Sequence, residues 1–138
     1  MIPIVIFDGI SGSGKTTLRY ALYQKLEGNV LTIDRFTPSV WVYDYLRGFD
    51  RVEEIGIIEK KFDDAFSPLL VLCTCSERIA AERVRNNQFR EIQFLVNDEL
   101  LAFAAYLERV CQYSRILTTV DTSDVSINES LERILCAI

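Results

Sequence analysis

A glycine-rich stretch near the start of the chain has the residue types that bind phosphate. GISGSGKT, residues 9–16, fits the spacing G-x-x-x-x-G-K-[ST], and it follows an apolar run and precedes a helical pattern. Glycines let backbone N–H groups curl around phosphate oxygens, and the helix N-terminus adds its dipole. We expect Lys15 to be exposed and to reach the β- and γ-phosphates of ATP, and Thr16 to hold Mg²⁺. The alternative is a glycine turn that carries a lysine by chance. The predicted ATP-binding residues of the loop are Gly9, Ser11, Gly12, Ser13, Gly14, Lys15, Thr16 and Thr17.

An acidic and a basic side chain, Asp34 and Arg35, directly follow a second apolar run at 30–33. If this second strand lies parallel beside the first, its C-terminal end falls next to the phosphate loop. Asp34 could then orient metal-bound water, and Arg35 could clamp a second anion. The alternative is a salt bridge on a surface loop.

Strands and helices alternate along the chain. Apolar, β-branched runs predict strands at 2–7, 30–33, 69–74 and 115–120. Helical spacing, caps and breakers predict helices at 15–26, 37–48, 50–66, 76–85, 92–113 and from 126 onward. This order predicts an α/β domain with right-handed crossovers and a mostly parallel sheet covered on both faces by helices. Ligands bind at the C-terminal edge of such a sheet.

Local patterns also predict how two of these helices begin and pack. Thr37 and Pro38 have the pattern of an N-cap and a first helical residue, and Asp50 has that of a second cap. The apolar residues that recur at helical spacing after Asp50 are Val52, Ile55, Ile58 and Phe62.

The chain of 138 residues is the size of one domain, and 49% of it is apolar, so it can bury a core. Its formal charge of −5 argues against strong nucleic-acid binding, which needs basic surface. MIPIVIF lacks a basic region, so we do not expect a signal peptide, and no apolar run is as long as a membrane span. We expect a cytoplasmic protein.

Histidine is absent, so proton transfer must fall to carboxylates or water. The four cysteines are Cys73, Cys75, Cys111 and Cys136. Cys73 and Cys75 form a C-x-C pair, but the other two are scattered, so buried free thiols are favoured over a zinc site.

Four segments in order resemble the thymidylate kinase family of nucleoside monophosphate kinases. FDGISGSGKTT is similar to the strand-and-loop opening of that family, and DRFTPSVWVY is similar to its D-R-[YF] segment, with Ser39 and Tyr43 five and nine residues after Asp34. LLVLCTCSERIAAERVR and RILTTVDTSDVSINESLERI resemble a later strand with its helix and the last strand with its helix. The resemblance implies one three-layer P-loop kinase domain over residues 1–138.

The resemblance also implies roles at the end of the second strand. Asp34 would help place Mg²⁺ and the acceptor phosphate, Arg35 would bind that phosphate, and Tyr43 would stand where a ribose 2′-hydroxyl would sit. The implied acceptor-binding residues are Asp8, Arg35, Phe36, Ser39, Tyr43 and Arg47. The implied metal ligands are Thr16 and Asp34.

A short lid around 85–92 is the third implied feature. Arginines of the family's lid neutralise the transferring phosphoryl group, and the phosphate loop here has none. Arg83 would contact ATP, and Arg85 and Arg90 would join Lys15, Asp34 and Arg35 as catalytic residues. A solvated helix end is the alternative for these arginines.

The chain also departs from the family. An acceptor-gripping segment between the first helix and the D-R-[YF] strand is missing, so we expect four strands, with five as the alternative. Ser11 stands in place of an acid of the loop, and Asp44 stands where a glutamine is common.

The expected function is Mg²⁺-dependent phosphoryl transfer from ATP to a nucleotide-like acceptor, above all a deoxynucleoside monophosphate. The alternatives are a nucleoside or polynucleotide 5′-hydroxyl kinase and a nucleotide-binding protein without transfer activity. The expected partners are small nucleotides, with no membrane, and homodimerisation stays open.

Overall fold

A single four-stranded parallel sheet organises the chain. The computed structural model describes residues 2–10, 13–74, 94–119 and 127–138 and the separate positions 76, 78, 79, 82 and 85. The strands are β1 (Ile4–Gly9), β2 (Leu31–Asp34), β3 (Leu69–Cys73) and β4 (Arg115–Thr119). They lie in the order β2-β1-β3-β4, and every pair is parallel. The predicted α/β class and four strands are confirmed.

Five helices have bounds within the described ranges, and they pack around the sheet. They are α1 (Lys15–Lys25), α2 (Thr37–Leu46), α3 (Val52–Phe66), α4 (Val96–Arg109) and α5 (Ile127–Ala137). Within the predicted helix at 76–85, positions 78, 79, 82 and 85 are helical, and the hydroxyl of Ser76 accepts a hydrogen bond from the N–H of Ile79 at 3.3 Å. None of the helices in the described ranges is long and apolar enough to cross a bilayer.

The inner strands β1 and β3 bury side chains on both faces of the sheet, which makes three layers. Ile6 of β1 joins a core with α2, α3 and α4, including Trp41 and Phe103. Its neighbours Val5 and Phe7 point to the opposite face, where they pack against α1 and α5. The continuous apolar run in β1 therefore reflects burial on two faces.

The predicted start of α2 is wrong in detail. Phe36 is the N-cap and Thr37 is already helical, and no side chain of the cap residue bonds to the helix. The hydroxyl of Thr37 bonds instead to Glu59 at 2.6 Å and to Tyr113 at 2.7 Å. The Thr37 side chain therefore bonds to residues far along the chain instead of capping its own helix.

The predicted buried face of α3 is confirmed for Val52, Ile55 and Phe62, which join the core, but it is wrong for Ile58. Ile58 is 48% exposed, whereas Glu59 is fully buried. The helix begins after Arg51, and the predicted cap Asp50 lies one residue earlier and accepts the N–H of Val52 at 3.2 Å.

Helix α4 is shorter than the predicted 92–113. Phe94 and Leu95 precede it, and it ends at Arg109, while 92 and 93 lie outside the described residues. After the helix, the N–H of Gln112 donates to Glu59 at 3.0 Å and that of Ser114 donates to Asp63 at 3.2 Å. Because these N–H groups bond to side chains of α3, they do not continue the hydrogen-bonding pattern of α4.

The cysteines are only partly buried. Cys73 is buried, Cys111 is half-buried and Cys136 is exposed, so the prediction of buried thiols is wrong for Cys136, and Cys75 lies outside the described residues. No group of three potential ligands for a metal is present among the residues that the structure describes.

Candidate functional site

The phosphate loop leaves β1 at the middle of the sheet and enters α1. Gly9 has φ 132°, and a Cβ there would overlap the carbonyl oxygen of Cys73 on β3, so the loop can leave the sheet only with glycine. Gly14 is left-handed, with φ 80°, immediately before α1 begins at Lys15. The predicted residues Ser11 and Gly12 lie outside the described residues. The described residues therefore place a strand before the loop and a helix after it, as in anion-binding loops.

Lys15 is the first residue of α1, and it is 6% exposed. The expectation of an exposed lysine is therefore wrong, because the side chain lies within the fold at the edge of the sheet. Ser13 is buried as well, whereas Thr16 and Thr17 are exposed.

Several charged side chains lie close enough to the Cys73 thiol, at the C-terminal end of β3, to affect its pKa. Burial raises the pKa of Cys73 to about 11, with smaller effects from the positive charge of Lys15 and the negative charges of Asp8 and Asp34. The four side chains are therefore electrostatic neighbours. The thiol therefore stays protonated at neutral pH. Because the thiolate is the reactive form, Cys73 contributes to packing rather than to catalysis.

The carboxylate of Asp8 holds the N-terminus of α2. The side chain is fully buried, and its Oδ2 accepts the N–H groups of Phe36 and Ser39, each at 3.0 Å. Its Oδ1 accepts the Ser39 hydroxyl at 2.5 Å and the N–H of Gly9 at 2.8 Å. This distant carboxylate supplies both the cap and the negative charge that the helix dipole favours. A direct contact of Asp8 with an acceptor stays a prediction.

Arg35 lies between the phosphate loop and α2 in a left-handed conformation with φ 59°. Its N–H donates to the carbonyl of Phe7 at 2.9 Å, which continues the β1–β2 pairing. Its Nη1 donates to Gly9 O at 3.2 Å, Ser39 Oγ at 2.9 Å and Tyr43 Oη at 3.1 Å. The side chain is 26% exposed, and its Nη1 lies 3.7 Å from Oδ1 of Asp8. The Arg35 side chain therefore connects the start of the phosphate loop to α2 and is partly exposed to solvent.

Asp34 is the exposed residue at the end of β2. It is paired in register with Phe7 of β1, so it lies one position before Asp8 across the sheet. The prediction that β2 ends beside the phosphate loop is confirmed by this pairing. The exposed carboxylate of Asp34 is accessible at this end of the sheet.

Tyr43 bridges Arg35 and α4. Its hydroxyl accepts from Arg35 and donates to Oε1 of Glu99 at 2.6 Å. Its ring stacks with that of Phe94 at 6.0 Å and meets Phe103 edge-on at 6.4 Å. The half-buried side chain is therefore held both at its hydroxyl and through its ring.

Two further predicted acceptor residues flank α2, Phe36 at its N-terminus and Arg47 at its C-terminus. Phe36 is half-buried, with its ring edge-on to Phe62 of α3 at 5.1 Å. Arg47 is exposed, and its guanidinium lies 5.5 Å from the ring centre of Phe94. Arg85 is exposed and helical, while Arg83, Arg90 and the rest of the predicted lid lie outside the described residues.

A buried polar network beneath α2 was not predicted. Oε2 of Glu59 accepts the hydroxyls of Thr37 and Tyr106 at 2.6 Å each, and Oε1 accepts the N–H of Gln112. Burial raises the pKa of Glu59. The only signal in the sequence is that Glu59, not Ile58, continues the spacing of Val52 and Ile55 around the helix.

Two solved structures with a similar architecture are kinases. A sugar kinase from Janibacter sp. HTCC2649 matches with a TM-score of 0.53 and 16% identity, covering 99% of this chain and 94% of its own. Shikimate kinase from Bacteroides thetaiotaomicron matches with a TM-score of 0.52 and 17% identity, covering 99% of both chains.

No family model matches the sequence. No curated protein matches it either. The likeness to the two kinases covers almost the whole of each chain and rests on shape at low identity. The chain has the α/β fold of the P-loop kinases.

Proposed function

We propose that the protein transfers the γ-phosphoryl group of ATP to a small acceptor bound between β2 and α2. The observation that carries this proposal is the loop from β1 to α1, with left-handed Gly14 directly before Lys15 and the end of β2 directly beside it. Backbone N–H groups and a helix N-terminus bind phosphate, and a lysine among them stabilises charge on the transferred group. The kinases of similar fold support the same chemistry.

The residues at this edge fit a magnesium–nucleotide complex. Thr16 and Asp34 are exposed, and they offer the hydroxyl and carboxylate oxygens that Mg²⁺ prefers. The ion would neutralise charge on the phosphates. Lys15 would hold the β- and γ-phosphates, and Asp34 would orient the attacking group on the acceptor side.

We propose a deoxynucleoside monophosphate as the acceptor. Arg35 supports this choice because its guanidinium is positioned beside Gly9 by three hydrogen bonds and its side chain is 26% exposed. Tyr43 would then face the sugar. Both residues belong to the segment that resembles the thymidylate kinases.

A hydroxyl acceptor without a phosphate is the second candidate. Nη1 of Arg35 already has three oxygen partners from the protein, which leaves less of the guanidinium for a ligand. The two kinases of similar fold are named for a sugar and for shikimate. A nucleoside, a sugar or a 5′-hydroxyl oligonucleotide would need Asp34 to orient the hydroxyl and would not need Arg35 as a clamp.

The experiment is ADP release from ATP and Mg²⁺ with a panel of acceptors, each product being identified by mass. The panel contains deoxynucleoside and ribonucleoside monophosphates, nucleosides, 5′-hydroxyl oligonucleotides, sugars and shikimate. A deoxynucleoside diphosphate is the expected product. Phosphorylation of unphosphorylated compounds alone would select the second candidate, and nucleotide binding with no acceptor turnover would reject phosphoryl transfer.

Arg35→Ala separates the two acceptor classes. Removing a charge-assisted contact costs about 2 kcal/mol, so KM for the monophosphate should rise about 30-fold and KM for ATP much less. Tyr43→Phe is the matched control, because it removes one partner of Arg35 and keeps the guanidinium. A larger effect on ATP would place Arg35 on the donor side.

A further inference from the structure

The outer face of α3 exposes an apolar residue between opposite charges. Ile57 is 57% exposed. Glu53 and Glu54 lie on its N-terminal side, and Lys60 and Lys61 lie on its C-terminal side, all of them exposed. These residues are turned away from the sheet, whereas Ile55 and Glu59 of the same helix are buried.

The charges are placed symmetrically about Ile57. The glutamates lie three and four residues before it, and the lysines lie three and four residues after it. At about 100° per residue, positions three and four apart fall on one face of a helix. If a second α3 lies antiparallel across this face, with the two-fold axis at Ile57, the acidic end of each helix meets the basic end of the other.

A shallow groove beside Ile57 gives such a helix room to approach. Its volume is about 600 Å³, and it is lined by Val52, Glu53, Gly56, Ile57, Lys60, Lys61 and Gln112. A Cβ on Gly56 would meet only Cγ of Gln112, at an ordinary contact distance of 3.9 Å. The fold of one chain does not require glycine there, and glycine weakens a helix interior. A small residue on an exposed face lets another helix come close.

We propose that this face of α3 is a self-association surface that takes a second copy of the chain as an antiparallel, two-fold-related partner. A partner of single charge sign, such as a polyanion, would be attracted to one half of the face and repelled by the other. A second copy carries the complementary arrangement on the same helix. Lys60 forms an exposed pair with Asp64 at 3.0 Å in the single chain, and it would exchange this partner for a glutamate of the other copy.

The test is a charge exchange measured by sedimentation equilibrium over a concentration series. The variant Lys60→Glu with Lys61→Glu makes all four of these charged positions acidic, and Glu53→Lys with Glu54→Lys makes all four basic. The wild type should dimerise, with weaker association at higher salt. Each variant alone should associate at least tenfold more weakly, and an equimolar mixture of the two should form a heterodimer.

A control matched to the acidic variant carries the same change in net charge on the other side of the sheet. Lys25→Glu with Arg133→Glu alters exposed residues of α1 and α5 and should dimerise like the wild type. Circular dichroism melts show that each variant folds. A wild type that stays monomeric at sub-millimolar concentration would overturn the proposal. So would acidic and basic variants that each dimerise normally, or a mixture that does not associate.

Discussion

Asp8 and Ser39 are 31 residues apart, and they share two hydrogen bonds: Asp8 accepts the Ser39 N–H at 3.0 Å and its hydroxyl at 2.5 Å. Asp8 directly precedes the phosphate loop, and Ser39 lies in the first turn of α2. The contact therefore fixes the wall of the proposed acceptor pocket relative to the proposed ATP site. The Asp8 carboxylate is therefore shared by the proposed acceptor pocket and the proposed ATP site.

Asp8→Asn should destabilise the protein by about 2 kcal/mol or more. The substitution replaces one carboxylate oxygen by an amide NH₂ group, which is a donor. In this fully buried site the NH₂ group would face other hydrogen-bond donors. Urea unfolding followed by circular dichroism measures the loss. Ser39→Ala is the control, because it removes the hydroxyl but keeps the backbone cap, and it should cost about 1 kcal/mol. An Asn variant as stable as the wild type would show that Asp8 does not hold α2.

Two substitutions at Tyr43 separate its ring from its hydroxyl. If the ring excludes a 2′-hydroxyl, the wild type should prefer deoxynucleoside monophosphates by about 10²-fold at most. Tyr43→Ala should lose this preference in kcat/KM, mainly by gaining activity on ribonucleotides. Tyr43→Phe keeps the ring and should keep the preference, while the lost bonds to Arg35 and Glu99 cost about 1 kcal/mol or more of stability. An unchanged ratio in the alanine variant would remove Tyr43 from the sugar site.

Glu59 should give the protein a distinctive pH dependence. Burial is the main cause that raises its pKa above the ordinary value of 4.5. The folded state therefore binds more protons than the unfolded state as the pH rises above 4.5, so the contribution of Glu59 to stability falls over that window. Glu59→Gln cannot titrate and should lack this decline. Unfolding free energies of both proteins at a series of pH values measure the difference, and parallel curves would refute it.

The parts of the fold that follow from neighbouring residues could be predicted from the sequence. Apolar runs buried on two faces indicate strands, and the glycine spacing before Lys15 indicates the phosphate loop. What could not be predicted depends on partners far along the chain. Thr37 has the pattern of a cap, yet Asp8 takes that role from 28 and 31 residues away, and Thr37 turns to Glu59.

The central claim, phosphoryl transfer at the loop before α1, is tested most directly at Lys15. Lys15→Met keeps the aliphatic stem, which matters because the side chain is 6% exposed, and removes the charge. With ATP, Mg²⁺ and the best acceptor of the panel, kcat should fall about 10²-fold or more, because the charge on the transferring group loses its stabilisation. The thermal unfolding midpoint should stay close to that of the wild type. A methionine variant that folds normally and keeps most of the wild-type kcat would contradict the proposed function.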